Sequence, residues 1–236
     1  MARFPARFFG NKHRHNQLLI NPLFYEAFAE YEYILIYHLD ALVFSDQLAE
    51  WCARGYDYVA PVRFDMSTVP PSLEAPVTGG FSLRRVDACL RVLRSRRAGV
   101  TPRAYWRNAR RESRGLVLIP RALWALAKFL PRFNTVDWEL KRQFLPAGED
   151  NFWALRAHLY DPDFRRVPVG EALSFGWGLE PRHCHQLCEG KVPFGCHGWN
   201  RSANREFWIP YLLEDARTRV IEAGSALRTR AARVAS

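Results

Sequence analysis

The stretch YILIYHLD, residues 33–40, indicates the class of fold. Its first five residues, 33–37, are apolar and rich in aromatic and β-branched side chains, which predicts a short strand buried on both faces. Asp40 then follows the carboxyl end of that strand, at the edge of the sheet where α/β proteins bind their ligands. A carboxylate at this edge suits a divalent cation, because hard cations prefer oxygen ligands. The spacing alone leaves open that Asp40 merely caps the next turn.

Strands and helices alternate along the rest of the chain, which favours an α/β architecture. Further candidate strands lie at residues 56–60 and 81–83. Candidate helices lie at residues 21–32, 45–55, 86–93, 120–130 and 148–159. We expect Ser45 to cap its helix and Gly55 to end it. Residues 66–80, rich in proline and glycine, are expected to form a loop, and residues 101–115 an exposed basic excursion.

Length and composition indicate a globular protein. The 236 residues are 48% hydrophobic and 25% charged, which argues against disorder. The sequence has no run of ~18 apolar residues, and its basic N-terminal stretch lacks the apolar region of a secretory signal. Five widely spaced cysteines form a poor disulfide framework and fit a reducing compartment. We therefore expect a cytoplasmic protein.

The net charge of +10 is unevenly distributed. Residues 84–114 hold eleven arginines against two acids, a net of +9, whereas residues 16–83 carry a net of −7. A nucleic-acid-binding protein is more often basic across its whole binding domain, so a nucleic-acid partner is not favoured. It stays open that residues 84–114, with Tyr105 and Trp106, form a module that binds single-stranded nucleic acid. The same segment and the C-terminal tail also suit contact with the inner face of an anionic membrane or with another protein.

Two glycines precede the candidate strand at residues 81–83. Gly79 and Gly80 permit a ligand to approach the backbone closely. Arg84, or its neighbour Arg85, is a candidate partner of a phosphate, because a guanidinium forms paired hydrogen bonds with phosphate oxygens. A simple turn from loop to strand is the alternative.

Glu149 and Asp150 stand together at the start of a candidate helix. Acids at that position are favoured by the helix dipole, so their presence does not by itself indicate a site. In an enzyme, such a carboxylate can serve as the base that takes a proton from a hydroxyl group.

A later segment, residues 193–199, offers a histidine and a tryptophan among small residues. His197 suits a metal ion, and Trp199 suits stacking on a sugar or a base. A zinc site is an alternative, although the chain has no Cys-x2-Cys pair, and the spacing favours buried cysteines without a metal. The candidate zinc ligands are His183, Cys184, His185, Cys188, Cys196 and His197.

Five motifs, taken in their order along the chain, resemble one bacterial protein family. They are YILIYHLDALVFSD at residues 33–46, WCARGYDYVAP at 51–61, GGFSLRR at 79–85, GEDNFW at 148–153 and VPFGCHGW at 192–199, with FW close by at 207–208. Through these motifs residues 15–212 resemble the family DUF5672, which is similar to glycosyltransferases of the GT-A fold.

The resemblance implies an α/β fold with a GT-A-like, Rossmann-like mixed sheet flanked by helices. Such a fold binds a nucleotide-sugar donor and, here, a glycan or lipid acceptor. Asp40 corresponds to the acid that holds Mn²⁺ or Mg²⁺ against the donor diphosphate, and His197 to a second metal ligand. His38 stands where the first acid of an Asp-x-Asp motif is absent.

The resemblance also implies substrate contacts and a catalytic base. The residues that correspond to the loop between the donor and acceptor sugars are Gly79, Gly80, Phe81 and Ser82. Glu149 and Asp150 correspond to the acidic pair that faces the acceptor, with Asp150 expected to be the base and Glu149 a hydrogen-bond partner, although the two roles are exchangeable.

The predicted function is transfer of a sugar from a nucleotide-sugar donor to an acceptor hydroxyl, with a divalent cation. About thirty residues precede Tyr33, so we expect the chain to lack part of the N-terminal nucleotide-binding region of GT-A folds; an inactive remnant is therefore an alternative. The expected organisation is one GT-A-like domain over residues 1–212, followed by a charged helical tail at residues 213–236.

Overall fold

The protein has a mixed α/β fold in a computed structural model that describes residues 1–65, 67–68, 72–112, 115, 118–130, 133–141 and 148–212. The predicted tail at residues 213–236 lies outside the described residues. The strands are β1 (Tyr33–Tyr37), β2 (Ala41–Val43), β3 (Tyr58–Val59), β4 (Val62–Asp65), β5 (Ser72–Pro76), β6 (Phe81–Arg85), β7 (Gly176–Trp177) and β8 (Gly195–His197).

Helices connect and cover these strands. They are α1 (Lys12–Leu19), α2 (Pro22–Glu26), α3 (Leu48–Ala53), α4 (Val86–Leu93), α5 (Pro102–Glu112), α6 (Leu118–Ala127), α7 (Val136–Glu139), α8 (Glu149–Leu155), α9 (Ala157–Tyr160), α10 (Val169–Phe175), α11 (Pro181–Leu187) and α12 (Ser202–Trp208). No helix among the described residues combines the length and apolar character needed to cross a membrane.

The strands form two sheets. The first has the order β1-β6-β3, with β6 in the middle and antiparallel to both neighbours. The second has the order β2-β8-β7-β4-β5 and is mixed: its outer pairs are antiparallel, whereas β7 runs parallel to β8 and β4. The alternation of strands and helices in the sequence therefore predicted the fold class correctly.

Strand β1 occupies the predicted residues, but it is not buried on both faces. Of its five residues only Ile36 is buried, and Tyr37 is exposed. The reason is the position of β1 at the edge of the first sheet, where β6 is its only strand neighbour among the described residues. Four of the five residues of β6 are buried, because core clusters cover both of its faces.

Three other local expectations are wrong. Residues 66–80 are not a single loop, since Ser72–Pro76 forms strand β5, which pairs with β4. The expected basic excursion contains helix α5 over Pro102–Glu112. Helix α3 begins at Leu48 without a side-chain cap, and the Ser45 hydroxyl donates to the Gln47 side chain instead.

Strand β6 separates two parts of the core. Phe81 and Leu83 point into one cluster, which contains Phe175 and Phe194. The opposite face carries Ser82 and Arg84, and it is covered by α2 and α8 through a cluster that includes Tyr25, Phe152 and Trp153. The residue before β6 lies next to the residue after β1. The His38 N–H donates a hydrogen bond to the Gly80 carbonyl at 2.9 Å.

Candidate metal and substrate site

Two strands bring three potential metal ligands together. His38 and Asp40 lie in the short connection between β1 and β2. Strand β2 pairs with β8 so that Ala41 lies opposite His197, which places His197 beside Asp40. The Asp40 carbonyl accepts hydrogen bonds from the N–H groups of Gly198 (2.8 Å) and Trp199 (3.2 Å), so the segment after β8 is fixed to the same connection.

The three side chains are close enough to share one ion. One nitrogen from each of His38 and His197 and one Asp40 carboxylate oxygen all lie within 4.8 Å of one another. His197 Nε2 is 3.3 Å from Asp40 Oδ1, and the two histidine rings have centroids 5.6 Å apart. Two imidazoles and one carboxylate form a donor set that suits a divalent transition metal.

Burial affects the protonation of this group. It lowers the pKa of both His38 and His197, although the negative charge of Asp40 acts in the opposite direction. His15 on α1 lies beside His38, with the two rings tilted by 60° and their centroids 5.4 Å apart, and burial also lowers the pKa of His15. A neutral imidazole presents a nitrogen lone pair to a metal.

The glycine pair allows β6 to approach these side chains. A Cβ atom on Gly80 would lie 2.6 Å from His38 Nδ1 and 2.6 Å from His197 Cδ2. A Cβ atom on Gly79 would collide with the Glu149 carboxylate. Glycine at both positions therefore leaves room for side chains of the protein itself, whereas the sequence had suggested a close approach by a ligand.

The ligand group lines a cavity of about 420 Å³. Asp150 and Glu149, at the start of α8, form another part of its wall, together with Gly79 and Gly80. Cationic side chains complete the wall at three places in the sequence: Lys12 on α1, Arg63 on β4 and Arg201 before α12. Among the described residues, neither Lys12 nor Arg201 forms an ion pair, whereas Arg63 pairs with Glu74 at 2.7 Å. The cavity therefore combines an acidic and histidine-rich part with cations suited to an anionic ligand.

Glu149 and Arg84 form a buried ion pair. Arg84 Nη1 is 2.9 Å from Glu149 Oε2, and Arg84 Nη2 donates to Glu149 Oε1 at 2.9 Å. The same guanidinium donates to the Ser82 and Tyr25 hydroxyls at 3.0 Å each. Burial raises the pKa of the Glu149 carboxyl, and the charge of Arg84 opposes that shift. Arg84, which we expected to bind a phosphate, is fully buried and directs its guanidinium at these three protein groups.

Asp150 differs from its neighbour in having no basic partner among the described residues. Its Oδ1 atom accepts a hydrogen bond from the Asn151 backbone N–H at 2.9 Å, which holds the carboxylate at the first turn of α8. The Asn151 side chain in turn accepts a hydrogen bond from Arg63 at 3.0 Å.

Three of the predicted substrate contacts lie away from the cavity wall. Phe81 is fully buried and stacks on Phe175, with ring centroids 5.0 Å apart. Ser82 is also buried, and its hydroxyl donates to the Gly79 carbonyl at 3.1 Å. Trp199 is half-buried and packs on the aromatic cluster that contains Trp208. Residue type alone did not distinguish these packing roles from ligand contacts.

Several residues of the cavity were not predicted from the sequence. In the sequence, His38 was noted only because it replaces the first acid of an Asp-x-Asp motif. A histidine two residues before Asp40 could nevertheless have indicated a second metal ligand. Lys12, Arg63 and Arg201 gave no local signal, because separate elements bring them to the cavity. The cysteines of the alternative zinc site are free thiols, and the metal-ligand group found among the described residues contains none of them.

The fold and this site define a mixed α/β protein with a candidate divalent-metal centre in a cavity lined by both acidic and cationic side chains. The chain belongs to the family described as "Protein of unknown function (DUF5672)", whose profile matches residues 1–197. No curated protein and no solved structure shows significant similarity to the chain.

Proposed function

We propose that this protein is a metal-dependent glycosyltransferase, which moves a sugar from a nucleotide-sugar donor to a hydroxyl group of a glycan or lipid acceptor. One observation carries the proposal: a single cavity combines the His38, Asp40 and His197 group with the Asp150 carboxylate and unpaired cationic side chains. Such a cavity suits a diphosphate, a divalent cation and a reacting hydroxyl together.

His38, Asp40 and His197 would hold the cation. When bound, a divalent cation supplies a Lewis acid that stabilises the charge of a departing diphosphate. We expect Mn²⁺ to bind more tightly than Mg²⁺, because nitrogen ligands suit transition metals better than they suit Mg²⁺. A GT-A-like form of the fold is part of the same proposal, and its support is the position of Asp40 directly after strand β1.

The cationic side chains have a separate role. Lys12 and Arg201 lack acidic partners among the described residues, so their charges are available to diphosphate oxygens. Arg63 contributes a third positive charge while Glu74 and Asn151 hold its orientation. These groups bind the donor and neutralise the charge that the leaving diphosphate acquires.

Asp150 is the proposed general base. The acceptor oxygen forms a bond to the anomeric carbon and gives its proton to the Asp150 carboxylate. The bond between that carbon and the diphosphate oxygen breaks, and its electron pair leaves with the diphosphate. Glu149 does not take this proton, because Arg84 already occupies its carboxylate; it is a positioning residue that fixes the start of α8 next to Gly79.

Thermal unfolding tests donor and metal binding. We expect Mn²⁺ together with one of a panel of UDP-, GDP- and dTDP-sugars to raise the unfolding temperature, since a ligand at 100 times its Kd stabilises a protein by about 2.7 kcal/mol. Asp40→Ala should abolish the shift, whereas Asp46→Ala, which changes an exposed acid outside the cavity, should preserve it. Absence of any shift, combined with salt-sensitive binding to single-stranded RNA, would overturn the proposal.

Release of nucleoside diphosphate tests the base. Asp150→Asn should lower turnover by roughly 10²–10⁴-fold, the usual contribution of a general base, and should preserve the thermal shift with donor and Mn²⁺. Loss of donor binding in Asp150→Asn, or unchanged turnover, would exclude Asp150 as the base.

A further inference from the structure

Helix α6 and the turns that follow it expose a row of large apolar side chains. Leu123 is 64% exposed, Leu126 63% and Phe129 69%. Ile119 is 59% exposed and Leu130 is 50% exposed. Residues 119, 123 and 126 lie in α6 at helical spacing, so they form one continuous stripe. An apolar stripe of this kind on the surface marks an interaction site.

Helix α5 packs beside α6 and extends this surface. An apolar groove of about 330 Å³ runs between the two helices, lined by Pro102 and Trp106 from α5 and by Ala122, Leu126 and Phe129 from the α6 side. The stripe and the groove together are called the α5–α6 face below.

Arginines border the groove. Arg103 lines its edge, and Arg107 and Arg110 follow on the same side of α5 at helical spacing. All three side chains are exposed, and among the described residues none of them forms an ion pair. They belong to the segment at residues 84–114 that carries a net charge of +9. The α5–α6 face therefore combines exposed apolar groups with unneutralised positive charge.

We propose that the α5–α6 face docks on an anionic membrane surface. The leucines and Phe129 enter the boundary between headgroups and acyl chains, and the arginines bind lipid phosphates, as in amphipathic helices that lie in the membrane plane. Nucleic acid fits this face less well, because aliphatic side chains gain nothing from a phosphate backbone and the aromatic rings of Tyr105 and Trp106 are half-buried. The inference goes beyond the glycosyltransferase proposal and does not depend on it.

Vesicle co-sedimentation with the full chain tests this surface. We expect binding to vesicles of equimolar phosphatidylcholine and phosphatidylglycerol, and little binding to vesicles of phosphatidylcholine alone. Replacing Arg103, Arg107 and Arg110 by Gln should lower the partition coefficient roughly a hundredfold at moderate salt. A matched triple replacement of the exposed Arg3, Arg7 and Arg182 by Gln should lower it far less.

A second pair of variants tests the apolar stripe. Leu123→Asp should abolish vesicle binding, whereas Leu187→Asp, which changes a leucine of 48% exposure on α11, should preserve it. Both leucines are exposed, so both variants should keep the wild-type unfolding temperature. Equal loss of binding in the two variants, or no binding to anionic vesicles by the wild type, would overturn the proposal. A dimer that Leu123→Asp dissociates, in a protein that does not bind vesicles, would assign the face to a second copy of the chain and would also overturn it.

Discussion

Gly80 controls how closely strand β6 approaches the metal-ligand side chains. In Gly80→Ala the new Cβ atom would overlap the His38 and His197 rings, which are ends of side chains rather than backbone and would have to shift. We therefore expect the metal site to be disrupted with little loss of stability, and the affinity for Mn²⁺ to fall at least about tenfold, the lower end of what a misoriented ligand costs. Isothermal titration with Mn²⁺ measures this change.

Gly170→Ala is the matched control for that change. Gly170 lies in helix α10, and a Cβ atom there meets no other group within 4 Å. Its affinity for Mn²⁺ should equal that of the wild type. If Gly80→Ala and Gly170→Ala bind Mn²⁺ equally well, the ligand group does not form as the contacts at Gly80 indicate.

The role of His38 as a metal ligand gives a second prediction at the residue scale. His38→Ala removes one of three donors and should weaken both Mn²⁺ and Mg²⁺ binding, whereas His13→Ala, which changes an exposed histidine outside the cavity, should weaken neither. His38→Asp restores an Asp-x-Asp pattern and replaces nitrogen by oxygen. It should shift the preference from Mn²⁺ towards Mg²⁺, because Mg²⁺ favours oxygen ligands. An unchanged ratio of the two affinities would show that His38 does not contact the ion.

The sequence predicted part of this site because its residue types and positions were informative. Asp40 directly after a strand and a late histidine pointed to a metal, and the structure places both in one ligand group. Arg84 could not be assigned in the same way. An arginine that binds phosphate and one that is buried against Glu149 look identical in sequence, and only the packing of α2 and α8 over β6 distinguishes them.

At the scale of elements, the Arg84 and Glu149 pair links strand β6 to helix α8. Arg84→Met would leave the Glu149 carboxylate buried without its partner, which costs about 3–5 kcal/mol of unfolding free energy. The double variant Arg84→Met, Glu149→Leu should be more stable than Arg84→Met, because it removes the unpaired charge. Urea unfolding of both variants measures the difference.

An exposed ion pair provides the control for this prediction. Arg54 and Glu171 are 3.1 Å apart, with side chains 40% and 44% exposed. Arg54→Met should cost less than about 1 kcal/mol, as is typical of surface pairs. If Arg54→Met and Arg84→Met lower the unfolding free energy by similar amounts, burial does not make the loss of Arg84 more costly than the loss of an exposed partner.

Strand β5 and helix α5 are two of the elements that were not predicted from the sequence, and the physical reasons differ. Strand β5 ends at Pro76 and lies at an edge of its sheet, where proline is tolerated, so a stretch rich in proline gave the appearance of a loop. Helix α5 was not predicted within the exposed basic excursion because its arginines dominate the composition. Arginine and alanine are both good helix formers, and they outweigh the charge density here.

At the scale of the whole molecule, positive charge lies on two separate surfaces. The net positive charge of residues 84–114 lies partly on the α5–α6 face, whereas the cations of the cavity come from α1, β4 and the segment before α12. Sequence reasoning placed the anion-binding charge next to the glycine pair, at Arg84. It could not locate Lys12 or Arg201, since their proximity arises only when residues nearly two hundred positions apart are packed together.

This distribution predicts how the cavity binds anions. The double variant Lys12→Gln, Arg201→Gln should lower the affinity for UDP or GDP in the presence of Mn²⁺ by roughly 10–100-fold, since it removes two charged contacts to phosphate. The loss should be smaller at high salt, which screens exposed charges. The affinity for Mn²⁺ alone should not fall, because neither residue belongs to the ligand group and both carry positive charge. Isothermal titration at two salt concentrations separates the effects.

The variant Arg96→Gln, Arg182→Gln removes the same net charge from exposed sites outside the cavity. If it weakens nucleotide binding equally, the overall charge of the protein attracts the nucleotide and the cavity has no specific role.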